Sequence, residues 1–441
     1  MIALGGNWTI IPATLVLALG WLLSGIVSDI LFKSLLQIVV LLAFAVIFGR
    51  AAQRLHQPSV LGEILGGIIL GPTILGTVAP SMQFWLFPVS GESAQILRAV
   101  AYLGLIAFVF TAGLEVNLAC ARRRIRTTLL TSSFGILLPF ALGFSVVVLL
   151  PELWGIPSGD LRIFALFMGT ALSISALPVI ARILMDLDLL NKEIGTMILS
   201  AATIDDMIGW SLFALILSSL NKGISLELNM CLTLVPFVLT FYLLYIEGKN
   251  ETGYLSSYLD GLVDLIAVAM LAASVISEVL GAHAIYGAFL AGVILSQKLK
   301  RRDFILKKTY PLVIGILAPV YFTSIGLKAN FATNFDLSIV LLVFIVACAG
   351  KIIGAGLGAK LSGLPGKKAL AIGFGMNARG AMEIVLASAA LDYGLIGPRI
   401  FVALVVMAFV TTMIGGSMIQ KLMITNPSLD EFRIETASTF H

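Results

Sequence analysis

The chain has 441 residues, of which 59% are apolar and 12% charged. An ordinary soluble domain carries about 25% charged residues, so there is too little polar surface here to wrap a water-soluble globule. Apolar spans of about 20 residues use most of the length. No contiguous polar stretch on the order of 100 residues is left for a nucleotide-binding module, a motor domain or a periplasmic receptor.

Apolar runs between polar breaks predict an all-α polytopic membrane protein with about 13–14 transmembrane helices. They lie near 7–28, 32–54, 58–80, 96–116, 126–150, 161–185, 194–220, 229–247, 257–280, 283–298, 309–328, 336–361, 367–392 and 399–423. The first run has no basic flank, unlike a secretory signal peptide, and is read as an extra N-terminal helix within 1–31. Alternate loops differ in charge. One set, including Arg122, Arg123, Arg124, Arg301 and Arg302, holds twenty Lys and Arg, and the other holds six. By the positive-inside rule the first set is cytoplasmic, with the C-terminal tail 424–441 on the same side. The remaining two cations, Lys351 and Arg379, lie inside spans. Cys120, Cys231 and Cys348 show no paired or ligand spacing, so neither a disulfide nor zinc is expected.

A weak internal repeat is present. Gly62, Leu65, Gly67, Ile69 and Leu70 recur as Gly287, Leu290, Gly292, Ile294 and Leu295, and the string around Phe110, Gly113 and Asn117 is echoed around Phe322, Gly326 and Asn330. The sidedness above makes the repeat inverted. It predicts two six-helix repeats, 32–220 and 257–423, joined by a helix at 229–247, an arrangement that places a binding site at the membrane midplane.

The string TIDDMIGW at 203–210 puts Asp205 and Asp206 about 17 Å from the cytoplasmic end of their span. An ionised group at that depth costs about 2.5–3.5 kcal/mol even on a lenient scale. A capping or interfacial role fits poorly between apolar flanks. Lys351, in ACAGKIIG at 347–354, lies at about 15 Å, too deep for easy snorkelling, and is available as an ion-pair partner.

Two spans read as discontinuous at the same level. TALSISALP at 170–178 combines the hydroxyls of Thr170, Ser173 and Ser175 with Pro178, which lacks a backbone donor, and GFGMNARG at 373–380 is glycine-rich with Asn377 and Arg379. Half-helix ends there would aim carbonyls and positive N-termini at the centre. Close helix packing is the competing explanation of the small residues. Arg379 and Glu383 stand four apart and read as a mutually neutralising pair. Glu63, Glu115 and Asp264 read as interfacial carboxylates, and His283, in an outer loop, as structural.

Adjacent buried carboxylates cannot both stay ionised cheaply, so protons and cations compete for them. If the empty charged site cannot cross the hydrophobic gate, alternation exchanges one for the other. Asp206 is then the main carrier of the proton or transported Na⁺, with Asp205 paired to Lys351. No cofactor, resident metal or nucleic acid is expected, and no enzymatic motif is apparent. The runner-up is K⁺/H⁺ exchange. A sodium-coupled solute symporter and a passive cation channel follow, the channel disfavoured because it needs a continuous polar path.

HQPSVLGEILGGIILGP at 56–72, Gly113, Leu114 and Glu115, the run from Ser173 to Arg182, the Asp205–Asp206 pair, Lys351 and Asn377 with Arg379 and Gly380 together resemble the monovalent cation:proton antiporter-2 family. The resemblance covers about residues 35–420. It implies a homodimer, a moving core beside a dimerisation domain, crossed discontinuous helices at 161–185 and 367–392, and proton-driven exchange of Na⁺ or K⁺ at Asp205, Asp206 and Lys351; the cell's inner (plasma) membrane is the expected location. One departure is Ala381, where many bacterial members carry a carboxylate; the acid here is Glu383, as in plant-type exchangers.

Overall fold

The computed structural model describes residues 30–55, 57–116, 124–156, 160–187, 192–220, 263–280, 283–298 and 311–424, with positions 189 and 309. The spans expected at 7–28 and 229–247, His56, Asn117 and the tail beyond 424 lie outside these residues.

Long apolar stretches rich in Leu, Ile, Val and Ala satisfy their backbone polar groups internally only as helices when water is absent. Among the described residues the ordered elements follow that rule. The longer ones are α1 (Ile30–Arg54), α2 (Ser59–Leu70), α3 (Glu92–Glu115), α4 (Ile125–Leu149), α5 (Leu161–Ser173), α6 (Leu177–Asp186) and α7 (Glu193–Leu220). After the central segment come α8 (Val263–Val279), α9 (Ala284–Lys298), α10 (Ala318–Gly326), α11 (Leu337–Leu361), α12 (Gly366–Met376), α13 (Ala381–Asp392) and α14 (Pro398–Ile424). Among the described residues seven helical stretches are long and apolar enough to span a membrane, and α12 with α13 adds an eighth, bent by 44° at its break. The chain is a multi-pass membrane protein.

Outward-facing rows carry leucine, isoleucine and valine in place of charge. On α1 they are Leu31, Leu35 and Val39, and on α11 Leu337, Leu341 and Ile345. Their four-residue spacing marks one helix face, which suits contact with lipid tails.

The helices sort into two bodies by what they touch. In the first, α2 packs on α1 and α10, while α3 packs on α9 and α10, and α8 on α9. In the second, α4 packs on α5, α7 and α11, α11 on α12 and α14, and α13 on α14. Glycines allow the closest approaches, because a β-carbon at Gly67 would sit 1.9 Å from the Thr323 carbonyl and 2.8 Å from Gly326 Cα. At Gly292 it would meet the Phe110 carbonyl at 2.3 Å and Gly113 at 3.0 Å. The α2–α10 crossing thus uses Gly67 and Gly326, and the α9–α3 crossing uses their motif counterparts Gly292 and Gly113. A single π turn at Val313–Leu317 precedes Pro319 in α10, where a proline cannot supply the usual backbone donor.

Within the second body, α5 ends at Ser173 and α6 begins at Leu177; α12 ends at Met376 and α13 begins at Ala381. Pro178 falls in the first turn of α6, where its missing N–H is no loss, so the interruption lies just ahead of it. The two interruptions meet: the Ala176 N–H donates to the Ala378 carbonyl at 3.2 Å.

Candidate ion-binding site

Helix α7 runs without a break through Asp205 and Asp206, and both side chains are buried, as are those of Lys351, Arg379 and Glu383. Charges removed from water must be paired or hydrogen-bonded. Lys351, reaching across from α11, donates to the Asp205 carboxylate and to the Ser173 carbonyl at 2.5 Å. Ser132 on α4 donates to the other Asp205 oxygen at 2.6 Å. The Ser175 hydroxyl lies 3.0 Å from Asp205 Oδ2 and 2.8 Å from the Met376 carbonyl, sharing one proton between them. Three parts of the fold, α11, α4 and the break between α5 and α6, therefore hold Asp205.

Asp206 is held far less. The N–H of Leu177, at the start of α6, bonds its carboxylate, but its Oδ1 finds no hydrogen-bond partner among the described residues. An acceptor oxygen that is buried and unmatched is costly in a finished core, and it leaves this carboxylate able to take a proton or to ligate a cation.

The remaining charges complement the half-helix ends. A helix C-terminus presents unpaired carbonyls with partial negative charge, and an N-terminus presents N–H groups with partial positive charge. Arg379 donates to the carbonyls of Ala171, at 3.0 Å, and Leu172 at the end of α5, and to Ala347 of α11 at 3.4 Å. Glu383 lies in the first turn of α13, and its Oε1 is 3.4 Å from Arg379. Thr412 of α14 donates to the Arg379 carbonyl, fastening the second break.

The structure thus brings Asp205, Asp206, Ser175 and Lys351 to one place, with Arg379 and Glu383 supporting the same breaks. Ser173 joins through its carbonyl; its hydroxyl donates to Thr170 at 2.8 Å. The Thr170 hydroxyl turns back to Leu166 in its own helix at 2.8 Å. Neither of these hydroxyls bonds the acids in this arrangement. Asn377 Nδ2 donates to Cys348 Sγ at 3.3 Å, while its Oδ1 is buried with no hydrogen-bond partner among the described residues. Ser132 was not singled out from sequence, because a serine in an apolar span near its helix end is commonplace. Glu63 is buried on α2, in the first body, beside Gly49 of α1. Among the described residues no group of His, Cys, Asp and Glu is placed to hold a resident metal ion.

Interrupted helices that meet beside a buried acid pair, in a chain of membrane-spanning helices, define a secondary transporter of small ions. Residues 38–425 match the family model described as "Sodium/hydrogen exchanger, transmembrane", and the chain belongs to that family of cation/proton antiporters. Relatives bear names of the same kind. It is 31% identical over 407 residues to the Na(+)/H(+) antiporter NhaS4 of Synechocystis sp., covering 90% of this chain and 98% of that one. It is 35% identical to Cation/H(+) antiporter 17 of Arabidopsis thaliana over 86% of this chain, and spans 47% of that longer protein. The Na(+)/H(+)-K(+) antiporter GerN of Bacillus cereus is 28% identical, with 88% and 96% of the two chains covered. The solved sodium proton antiporter MjNhaP1 of Methanocaldococcus jannaschii shares the fold, with a TM-score of 0.61 at 15% identity over 90% of this chain and 99% of that one.

Proposed function

We propose that this protein exchanges Na⁺ for protons by alternating access, with Asp206 as the carrier of either ion. The observation behind the reading is a charge count. Lys351 pairs with Asp205, Arg379 pairs with Glu383, and among the described residues Asp206 is the site carboxylate that forms no ion pair. With all five groups ionised the site has a formal charge of minus one, and a single proton or monovalent cation makes it neutral. A net charge in hydrocarbon is strongly disfavoured, so the loaded forms move and the empty form stays. Each crossing then carries one ion, and the return carries the competitor.

The alternation itself rests on the proposed division into inverted repeats 32–220 and 257–423, supported by the reciprocal glycine crossings Gly67–Gly326 and Gly292–Gly113. The positive-inside count supports an inner (plasma) membrane orientation with a cytoplasmic C-terminus, and the family resemblance supports a homodimer. K⁺ in place of Na⁺ is the second reading, favoured by the name of the Bacillus cereus relative.

Proteoliposomes with an internal pH dye test the proposal. An imposed Na⁺ gradient is expected to drive protons the other way. Proton movement with K⁺ but not Na⁺ would select the second reading, and movement with neither would overturn both.

A further inference from the structure

Away from the ion site, three side chains of the first body converge on the end of α13 in the second. Lys328, just after α10, donates to both oxygens of Asp392 at 2.7 and 2.6 Å and to Ser388 Oγ at 3.0 Å. Tyr321 of α10 bonds Ser388 as well. His283, just before α9, meets the Tyr393 hydroxyl at 2.8 Å through Nε2. By the distribution of basic loops, this cluster lies on the outer face, opposite the arginine-rich connections.

His283 is held in an unusual way. Its φ is +65°, in the left-handed region that a non-glycine residue occupies only when the surroundings impose it. Its carbonyl accepts from Ser277 at 2.8 Å, and its Nδ1 accepts from the Ile285 N–H at 3.4 Å. An accepting Nδ1 carries no hydrogen, so the ring is neutral and Nε2–H donates to Tyr393. Burial holds this imidazole below its usual range, while the Glu278 carboxylate pulls the other way. The titratable and charged groups around it are Glu278 of α8, Tyr102 of α3, and Tyr393 with Asp392 at the end of α13. A proton added at Nδ1 removes the acceptor for Ile285 and creates a cation beside Glu278, whose Oε2 accepts from the Ala284 N–H at 2.7 Å.

We propose that the grip of His283 and Lys328 on residues 388–393 is the outer gate of this transporter, and that protonation of His283 tightens it, because Nε2–H keeps its bond to Tyr393 and a charged donor binds more strongly. Opening the outer path separates the two bodies on this face, so both contacts break once in every cycle. Acid outside the membrane thereby shifts the protein away from the outward-open form. Neither residue touches the carried ion; both act by setting which face is open, a population shift that alters apparent affinity. The inference rests on the alternating-access reading above.

The test uses the full chain in oriented proteoliposomes, with Na⁺ as the probe and the pH of the outer face varied. K328D and D392K are each expected to change the apparent KM for Na⁺ on the outer face about fivefold, and the double swap K328D/D392K to return it toward the wild-type value. H283Q is expected to lose the dependence of rate on outer pH. Y393F, which keeps every charge, should flatten the same profile, and it serves if H283Q does not fold. Unchanged KM in the single variants, or a double swap no nearer wild type than either single, overturns the gate. A wild-type pH profile in H283Q or Y393F overturns the role of the histidine. Wild-type protein that moves no protons with Na⁺ would instead sink the exchange reading itself.

Discussion

Lys351 places its ammonium on Asp205 and on the Ser173 carbonyl at once, and forms no ion pair with Asp206, one residue along the same helix. Two adjacent and chemically identical side chains thereby sit in different surroundings. One is anchored by Lys351, Ser132 and Ser175, and the other keeps an open oxygen.

Asp206→Asn removes the open carboxylate and keeps its volume. We expect cation-driven proton movement to fall to background while the melting temperature in detergent stays near wild type. Normal exchange by this variant would show that the carrier lies elsewhere.

Lys351→Ala leaves a buried carboxylate unpaired. Breaking one side of a buried ion pair costs about 3–5 kcal/mol, so thermal unfolding should occur at markedly lower temperature. Adding Asp205→Asn should recover part of that loss, because the stranded charge is then gone. A double variant no more stable than Lys351→Ala would argue that the lysine acts through packing alone.

Gly67→Ala drives a methyl into the Thr323 carbonyl and the Gly326 backbone, neither of which can swing aside as a side chain could. Overpacking of this kind costs about 1–3 kcal/mol. Gly315→Ala is the control, since nothing lies within 4 Å of a β-carbon there. Melting curves should separate the two, the first lowered and the second unchanged.

Asp336 caps α11 by accepting from the N–H groups of Ser338 and Ile339 at 3.0 and 3.3 Å, and it pairs with Arg399. The Arg399 guanidinium, followed by the cap N–H bonds, holds its carboxyl below the usual range. A carboxylate held low in the folded state stabilises it above the pKa of the unfolded chain, and that contribution is lost as pH falls through the folded value. Asp336→Ala should therefore lower stability by about 1 kcal/mol near neutrality, and its melting temperature should converge with that of wild type in acid. A gap independent of pH would contradict the charged cap.

The spans were readable because hydrocarbon demands long apolar helices: the run expected at 336–361 is Leu337–Leu361, and that at 126–150 is Ile125–Leu149. Asp205, Asp206 and Lys351 stood out because charge is rare at that depth, and both breaks because Ser, Gly and Pro interrupt an otherwise helical pattern. Partners far apart in sequence were not readable. Ser132 meets Asp205 across 73 positions, Lys328 meets Asp392 across 64, and His283 meets Tyr393 across 110. The sequence held each member, but only packing of the helices makes the pairs. His283 read as structural because a lone histidine carries no sign of what will stand opposite it. Thr170 and Ser173 illustrate the reverse, since a helical hydroxyl has a carbonyl one turn back within reach.

The bond from the Ala176 N–H to the Ala378 carbonyl also bears on how such a chain can change over time. A residue inserted between α5 and α6 would pull its strand of the crossing out of register with the other, and only a matching insertion between α12 and α13 would restore it. The lengths of the two gaps are therefore tied to each other through that bond, even though more than two hundred positions of the chain separate them.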